Sequence, residues 1–345
     1  MNLPSKGPVD STTQQAETLS LPWLVADVGG TNARFGWVDD ACGAVRHVKT
    51  LPVDQHAGPA EAVAAYMQML QAASSSPLSP PRRSAWALAT ALDGDWVELT
   101  NGHWRFSRSA LMQALGLEQL RLLNDFEALA LALPHLKSTQ LRTFGADGAL
   151  PRAQGVLAVI GPGTGLGVAG VVQTPQGWTA LPGEGGHATL AATDDEEAQV
   201  LAEVRRHFAH VSAERLLSGI GLPVLYRAVC AVAGLPAQDF SAPQIIEAGT
   251  QGGDALCGRT LELFCALLGS FAGNVALTLG ARGGVFIGGG IVPRLGERFF
   301  QSRFRQKFEA KGRFHGYLAD IPTALITDTL AALTGAAAAL EPGAS

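Results

Sequence analysis

Trp23 to Asp39 reads WLVADVGGTNARFGWVD. An apolar run leads through Ala26 into Asp27 and Val28, then come Gly29, Gly30, Thr31 and Asn32, and a second β-like run from Ala33 to Val38 follows at once. Strand, glycine turn and returning strand make a β-hairpin. Its tip offers a carboxylate, a hydroxyl and the amides of two glycines, and glycine lets backbone donors approach an anion with no side chain in the way. A Walker loop would need Lys-Ser/Thr and then a helix, and a dinucleotide fingerprint also needs strand then helix. A strand follows here, so both fail. By itself DVGGTN serves equally well as an ordinary turn, because Gly and Asn are common turn residues.

Working outward, the chain has 345 residues, 47% of them hydrophobic, with 41 glycines. That is ample for a large core and for two domains. A net charge of -5 argues against a footprint for nucleic acid or anionic lipid. No apolar run of membrane-spanning length is expected, and Met1 to Ser20 is polar with no signal-peptide core. Residues 1–20 therefore read as a disordered extension. None of Cys42, Cys230, Cys257 and Cys265 forms a CxxC pair. Cys257 and Cys265, eight apart on one helix, would lie about 12 Å from each other, too far to bridge. Reduced thiols in a cytoplasmic protein follow.

A third strand is expected over Ala44 to Val53 and a helix over Gly58 to Ala73, then a Pro/Ser loop to Arg83. Trp86 to Leu92 and Trp96 to Thr100 read as strands around Asp93-Gly94, and Ser109 to Leu115 as a helix. Leu120 to Leu123 is a strand ending in Asn124-Asp125, from which an apolar helix runs to Pro134. Periodicity lapses over Leu136 to Arg152, a candidate domain junction. Then the opening pattern returns: apolar GVLAVI (155–160), the turn Gly161-Pro162-Gly163-Thr164-Gly165, and a strand over Leu166 to Val172. Two glycine-threonine hairpins suggest an internal duplication. The rest is mostly helical, with helices expected at 194–207, 213–217, 223–232, 243–248, 254–279, between 293 and 311, and at the end to Leu340. A buried strand GVFI (284–287) runs into Gly288-Gly289-Gly290, and a short strand spans 323–327. Strands mixed with helices point to an α/β fold.

Few groups in this frame can do chemistry. Asp125 sits between strand and helix, where it can be an N-cap or a carboxylate at the ligand-binding edge of a sheet. LPGEGGH (181–187) carries Glu184 and His187 in a glycine-rich loop; no ligand-spaced cysteine or second histidine makes it a zinc site. Glu214 follows Ser212 and can serve as a first-turn partner of a helix dipole. Each signal is weak alone. Two anion-holding hairpins with several hydroxyl-binding carboxylates fit phosphoryl transfer to a polyol better than hydrolysis or redox chemistry.

DVGGTNAR (27–34), LLNDFEALA (122–130), GPGTGLGVA (161–169), LPGEGGHATLA (181–191), HVSAERLLSGIGLPVLYRA (210–228) and GGVFIGGGIVPR (283–294) together resemble the bacterial glucokinases. The likeness is to the group lacking a zinc motif, within the sugar kinase, Hsp70 and actin superfamily, and it runs from Leu21 to Ala339. It implies a two-domain ribonuclease H-like (actin-like ATPase/hexokinase) α/β fold with the active site in the interdomain cleft. A small domain would comprise 21–135 plus 325–345 and a large one 136–324. It implies ATP and Mg2+, with Ala26, Asp27, Val28, Gly29, Gly30, Thr31 and Asn32 as the first phosphate hairpin, Asp27 positioning Mg2+ through water. Gly161, Gly163, Thr164 and Gly165 would form the second, and Gly288, Gly289 and Gly290 would border the adenosine. Asn124, Glu184, His187 and Glu214 would hold glucose, and Asp125 would be the catalytic base beside its 6-hydroxyl. The departures are the N-terminal extension, Pro162, which removes one backbone donor, and TDT (327–329) in place of a proline-bearing segment.

The expected partners are glucose and ATP, with neither nucleic acid nor membrane; a homodimer is left open. A kinase-type repressor would need a DNA-binding motif before Asp27 and a Cys-rich zinc loop. A filament or chaperone ATPase would lack the sugar-facing set. A non-catalytic sugar sensor would have lost Asp125, and a kinase of another hexose stays open.

Overall fold

The computed structural model describes residues 21–90, 92–144 and 148–341; the extension expected over 1–20 lies outside them, as do 342–345. In chain order the strands are β1 (Trp23–Val28), β2 (Asn32–Val38), β3 (Arg46–Pro52), β4 (Arg83–Leu88), β5 (Trp96–Glu98), β6 (Arg105–Ser107), β7 (Gln119–Asn124), β8 (Leu141–Thr143), β9 (Val156–Pro162), β10 (Leu166–Thr174), β11 (Gly177–Leu181), β12 (Gly284–Ile287) and β13 (Thr323–Ile326). The helices are α1 (Pro59–Ala73), α2 (Arg108–Ala114), α3 (Asp125–Ala132), α4 (Asp195–Arg205), α5 (Leu222–Val232), α6 (Ala242–Thr250), α7 (Ala255–Leu279), α8 (Val292–Leu295), α9 (Glu297–Gln301), α10 (Phe304–Glu309), α11 (His315–Ala319) and α12 (Ala331–Ala338).

The strands form two large sheets and a small ribbon, β5-β6. The first sheet has the order β3-β2-β1-β4-β7, the second β11-β10-β9-β12-β13-β8. In each, three antiparallel strands from consecutive hairpins are followed by two parallel ones. Apart from the edge strand β8, the two halves repeat one topology, as the recurring hairpin motif suggested. This doubled order is the ribonuclease H-like, actin-type fold.

Among the described residues, three cores hold the fold together. One lies on the outer face of the first sheet, around Phe35, Tyr66, Trp86 and Trp104. A larger one gathers α4 to α10 against the second sheet. The third lies between the sheets, built from α3 and α12 with inward residues of both. These two helices cross so closely that a Cβ on Gly335 would overlap the Ala128 carbonyl. Only a residue without a side chain allows that crossing.

Several expectations shift. The strand expected at Trp86–Leu92 begins at Arg83, ends at Leu88 and joins β1 and β7, while Trp96 pairs with Ser107 instead. The stretch 136–152 contains β8, paired antiparallel with β13. Residues 213–217 form turns, not a helix: Leu217 N–H bonds the Ala213 carbonyl, but Gly219 N–H then bonds the Gly163 carbonyl in the β9–β10 turn. Helix α7 spans 25 residues and is apolar enough by composition to cross a membrane, contrary to the reading of the sequence. Its apolar face is continuous because it runs through the large core, with 78% of its most apolar window buried. It starts on an Asp254 side-chain cap and stops at Gly280, whose φ of 66° ends a helix without side-chain cost.

Candidate active site

The cleft forms where the carboxyl ends of β1, β4, β7, β9 and β12 converge. Here α3 starts. Its N-cap is Asn124, not Asp125: the Asn124 Oδ1 accepts from Phe126 N–H at 2.9 Å, and Glu127 Oε2 reaches back to the Asn124 N–H at 3.4 Å. This reciprocal capping box fixes the entry of the helix. Asp125 therefore becomes the first helical residue, its Oδ1 also accepting from Phe126 N–H at 2.9 Å.

Two cavities flank Asp125, and both include it. One, of about 510 Å3, is lined by Asn124, Glu184, Glu214, Thr90, Thr100 and Asn101 and by the second glycine hairpin from Gly161 to Leu166. The other, of about 540 Å3, is lined by Asp27, Arg34, Arg142, Gly288 to Gly290 and Thr327 to Thr329. Asp125, Phe126 and Gly289 belong to the shared wall. Burial pushes the Asp125 carboxyl up to about 6; the charges of Asp27 and Glu184 add to this, while the Phe126 N–H opposes it. A carboxylate near neutrality can take a proton at physiological pH.

Asp27 on the other wall is tied to Arg34, its Oδ2 accepting from Nη1 at 2.8 Å. The two face each other across the antiparallel hairpin. Burial still raises the Asp27 carboxyl above its ordinary range, against the pull of Arg34.

On the other side the loops are stitched to the second hairpin. Glu214 Oε2 accepts from Leu166 N–H at 2.8 Å, and Gly219 N–H bonds the Gly163 carbonyl at 2.8 Å. Glu214 N–H bonds Gly186 in the Glu184–His187 loop. Ser212 Oγ accepts from Arg215 N–H at 3.2 Å, so the serine caps a turn while the glutamate side chain turns to the hairpin. Glu184 and His187 stand 3.9 Å apart and largely exposed, free to meet a ligand.

The structure thus brings together Asp27, Asn124, Asp125, Glu184, Glu214, the second hairpin and Gly288 to Gly290. His187 lies beside Glu184 without lining either cavity, and neither do Gly29 to Asn32. Ala26 and Val28 are buried in β1. Arg34, Phe126, Thr90, Thr100, Asn101 and Arg142 also line the cavities and are not among the expected site residues. For Arg34 a signal existed, since a hairpin around Gly29 to Asn32 puts residue 34 opposite residue 27. Thr100-Asn101-Gly102 carries only turn residues, and nothing in Arg142 marks it for the cleft.

A ribonuclease H-like fold with glycine hairpins and carboxylates at the junction of its halves defines the sugar kinases of the actin-like superfamily. The glucokinase family model matches residues 24–342. A glucokinase of Chromobacterium violaceum is 49% identical over 92% of this chain and 89% of its own length. The crystal structure of a glucokinase from an Antarctic psychrotroph superposes with a TM-score of 0.85 at 40% identity, covering 92% of this chain and 98% of its own. A ROK family glucokinase from Streptomyces griseus, solved in complex with glucose and AMPPNP, shares the fold at a TM-score of 0.57 and 17% identity, covering 92% of this chain and 98% of its own. The chain belongs to the glucokinase family.

Proposed function

We propose that this chain transfers the γ-phosphoryl group of ATP to the 6-hydroxyl of D-glucose, yielding glucose 6-phosphate and ADP for glycolysis. The observation that carries the reading is the place of Asp125, in the wall shared by two cavities, with hydroxyl-binding groups on one side and anion-binding groups on the other. Family membership and the Streptomyces griseus neighbour's ligands support glucose and ATP as the pair.

In this reading Asn124, Glu184, His187 and Glu214 hold the sugar hydroxyls and aim the 6-hydroxyl at Asp125. Asp125 orients that hydroxyl and accepts its proton as the bond to phosphorus forms. Such a transition state asks the protein mainly for positioning and charge stabilisation. The Gly29 and Gly163 amides close their own turns, at 2.9 Å to the Asn32 and Gly165 carbonyls, so phosphate contacts fall to the amides beyond them. Gly288 to Gly290 border the adenosine.

Among the described residues no three His, Cys, Asp or Glu cluster as a metal cage. A half-buried carboxylate beside a phosphate hairpin suits Mg2+, which keeps most of its waters and uses one or two carboxylates with substrate phosphates. Asp27 would hold it through water, and the ion would neutralise charge on the triphosphate. Residues 21–135 with 325–345 would close as a small domain on a large domain of 136–324, excluding water from the transfer. Four cysteines, three of them buried and none bridged, support a cytoplasmic setting.

A coupled assay of glucose, mannose and glucosamine with ATP, ADP and polyphosphate tests the reading. Phosphorylation of glucose from ATP at the highest kcat/KM is expected. Absence of ATP-dependent hexose phosphorylation would overturn it.

A further inference from the structure

One wall of the sugar-side cavity is a loop outside the motifs that carry the resemblance. It joins β5 to β6, and Thr100 and Asn101 at its tip line the same cavity as Asn124, Asp125, Glu184 and Glu214. Asn101 is exposed. Its amide group carries both a donor and an acceptor, which matches a sugar hydroxyl that does the same.

The loop is rigidly built. Leu99 N–H bonds the Trp104 carbonyl at 3.1 Å, and buried Trp104 donates its Nε1–H to the His56 carbonyl at 2.9 Å. Thr100 Oγ1 bonds Thr90 Oγ1 at 3.3 Å, and Asn124 Nδ2 reaches the Thr90 carbonyl at 3.4 Å, so the loop shares a support with the sugar-facing cap of α3.

The same loop also touches the first phosphate hairpin. A Cβ on Gly30 would overlap the Asn101 carbonyl, and one on Gly102 would come within 3.2 Å of the Gly30 carbonyl oxygen. The two backbones are in direct contact, with no side chain between them. A group that meets the sugar therefore sits on the chain segment that supports the hairpin tip. Across the cleft Glu214 has the same arrangement, with its carboxylate on Leu166 of the second hairpin.

We propose that Asn101 is a further sugar-binding residue, and that its loop is the route by which sugar occupancy reaches the Gly29–Thr31 turn. The inference rests on the glucose kinase reading and deepens it.

Titration calorimetry on the full chain tests it, with glucose alone and with AMPPNP in the presence and absence of saturating glucose. Asn101→Ala is expected to weaken glucose binding about tenfold, the loss of one hydrogen bond to a hydroxyl. Its affinity for AMPPNP alone should stay within twofold of the parent. Glucose should tighten AMPPNP about fivefold or more in the parent, within the usual range of coupling between sites, and less than twofold in the variant. Asn101→Gln, which keeps the amide, should recover part of both effects, which a merely structural change would not. Glucose affinity unchanged in Asn101→Ala overturns the contact. Weakened glucose binding with the full gain in AMPPNP affinity overturns the coupling. A parent that phosphorylates glucose while the variant behaves identically fails this inference alone; a parent that binds no hexose fails the functional reading with it.

Discussion

The two hairpins share one topology, but the strand pairs one step in from their turns have opposite characters. In the first, Asp27 faces Arg34 across the strands. In the second, Gly161 faces Gly167. The first pair supplies charge to the cleft. The second supplies space: a Cβ on either glycine would overlap the Phe126 ring, which occupies the slot they leave. Phe126 follows Asp125, so an emptied position in one half of the molecule seats the start of α3 and fixes where the Asp125 carboxylate stands. The lesson is that a repeated topology divided its labour: one copy carries an ion pair at the cleft, the other clears room for the ring that seats Asp125.

This division can be broken at three points, and the largest effect belongs to the base itself. Asp125→Asn should bind glucose nearly normally and lose roughly three decades of turnover, about 4 kcal/mol of transition-state stabilisation. Turnover within tenfold of the parent in the coupled assay would remove Asp125 from its role. Next comes the slot. Gly167→Ala must push Phe126 aside, at a cost of about 1–3 kcal/mol in thermal or denaturant unfolding. A displacement of the base by about 1 Å should cost on the order of 100-fold in kcat, with little change in KM. A variant that loses stability but keeps kcat would show that the slot serves packing alone.

Arg34 tests the charged half. Arg34→Met removes the partner of Asp27 and a cation lining the nucleotide-side cavity. A charge-assisted contact from this guanidinium to the triphosphate would be worth about 1.5–3 kcal/mol, so kcat/KM for ATP should fall roughly 10- to 100-fold while glucose affinity holds. Equal losses for both substrates would mean that the hairpin has collapsed rather than lost a charge.

Much of this was legible in the sequence. The opening hairpin, its repeat at 155–172 and the buried strand GVFI follow from apolar runs punctuated by glycine, whereas the carboxylates at 125, 184 and 214 gather into one set only through the resemblance to the bacterial glucokinases. What escaped depends on contacts between distant segments. The slot at Gly161 and Gly167 reads as turn chemistry until Phe126, some 35 residues earlier, is packed into it. Strand β8 has three residues, none buried, and exists only because β13 offers an edge. The 213–217 stretch carries a cap and helix formers, yet the pull of Leu166 N–H on Glu214 and of the Gly163 carbonyl on Gly219 overrides them. The TNG tip of the β5–β6 loop has the composition of any turn, and only its seat against Gly30 gives it a place in the cleft.

The smallest effect concerns the energy stored in the base. An ordinary aspartate in the unfolded chain titrates near 4, whereas burial holds folded Asp125 at about 6. Below pH 4 both states are protonated and nothing is lost. Between about 4 and 6 the unfolded chain ionises while the folded one does not, so this group costs stability as pH rises, and above 6 the cost is constant at about 3 kcal/mol. Asp125→Asn should therefore unfold several degrees higher than the parent at pH 7.5 and no higher at pH 4. The ionised form is the active one, so parent kcat/KM should fall about tenfold per unit below pH 6. A midpoint near 4, or a variant no more stable at pH 7.5, would mean that the pocket between the two hairpins does not strain its carboxylate. Charge from the first hairpin and space from the second would then position Asp125 without tuning it.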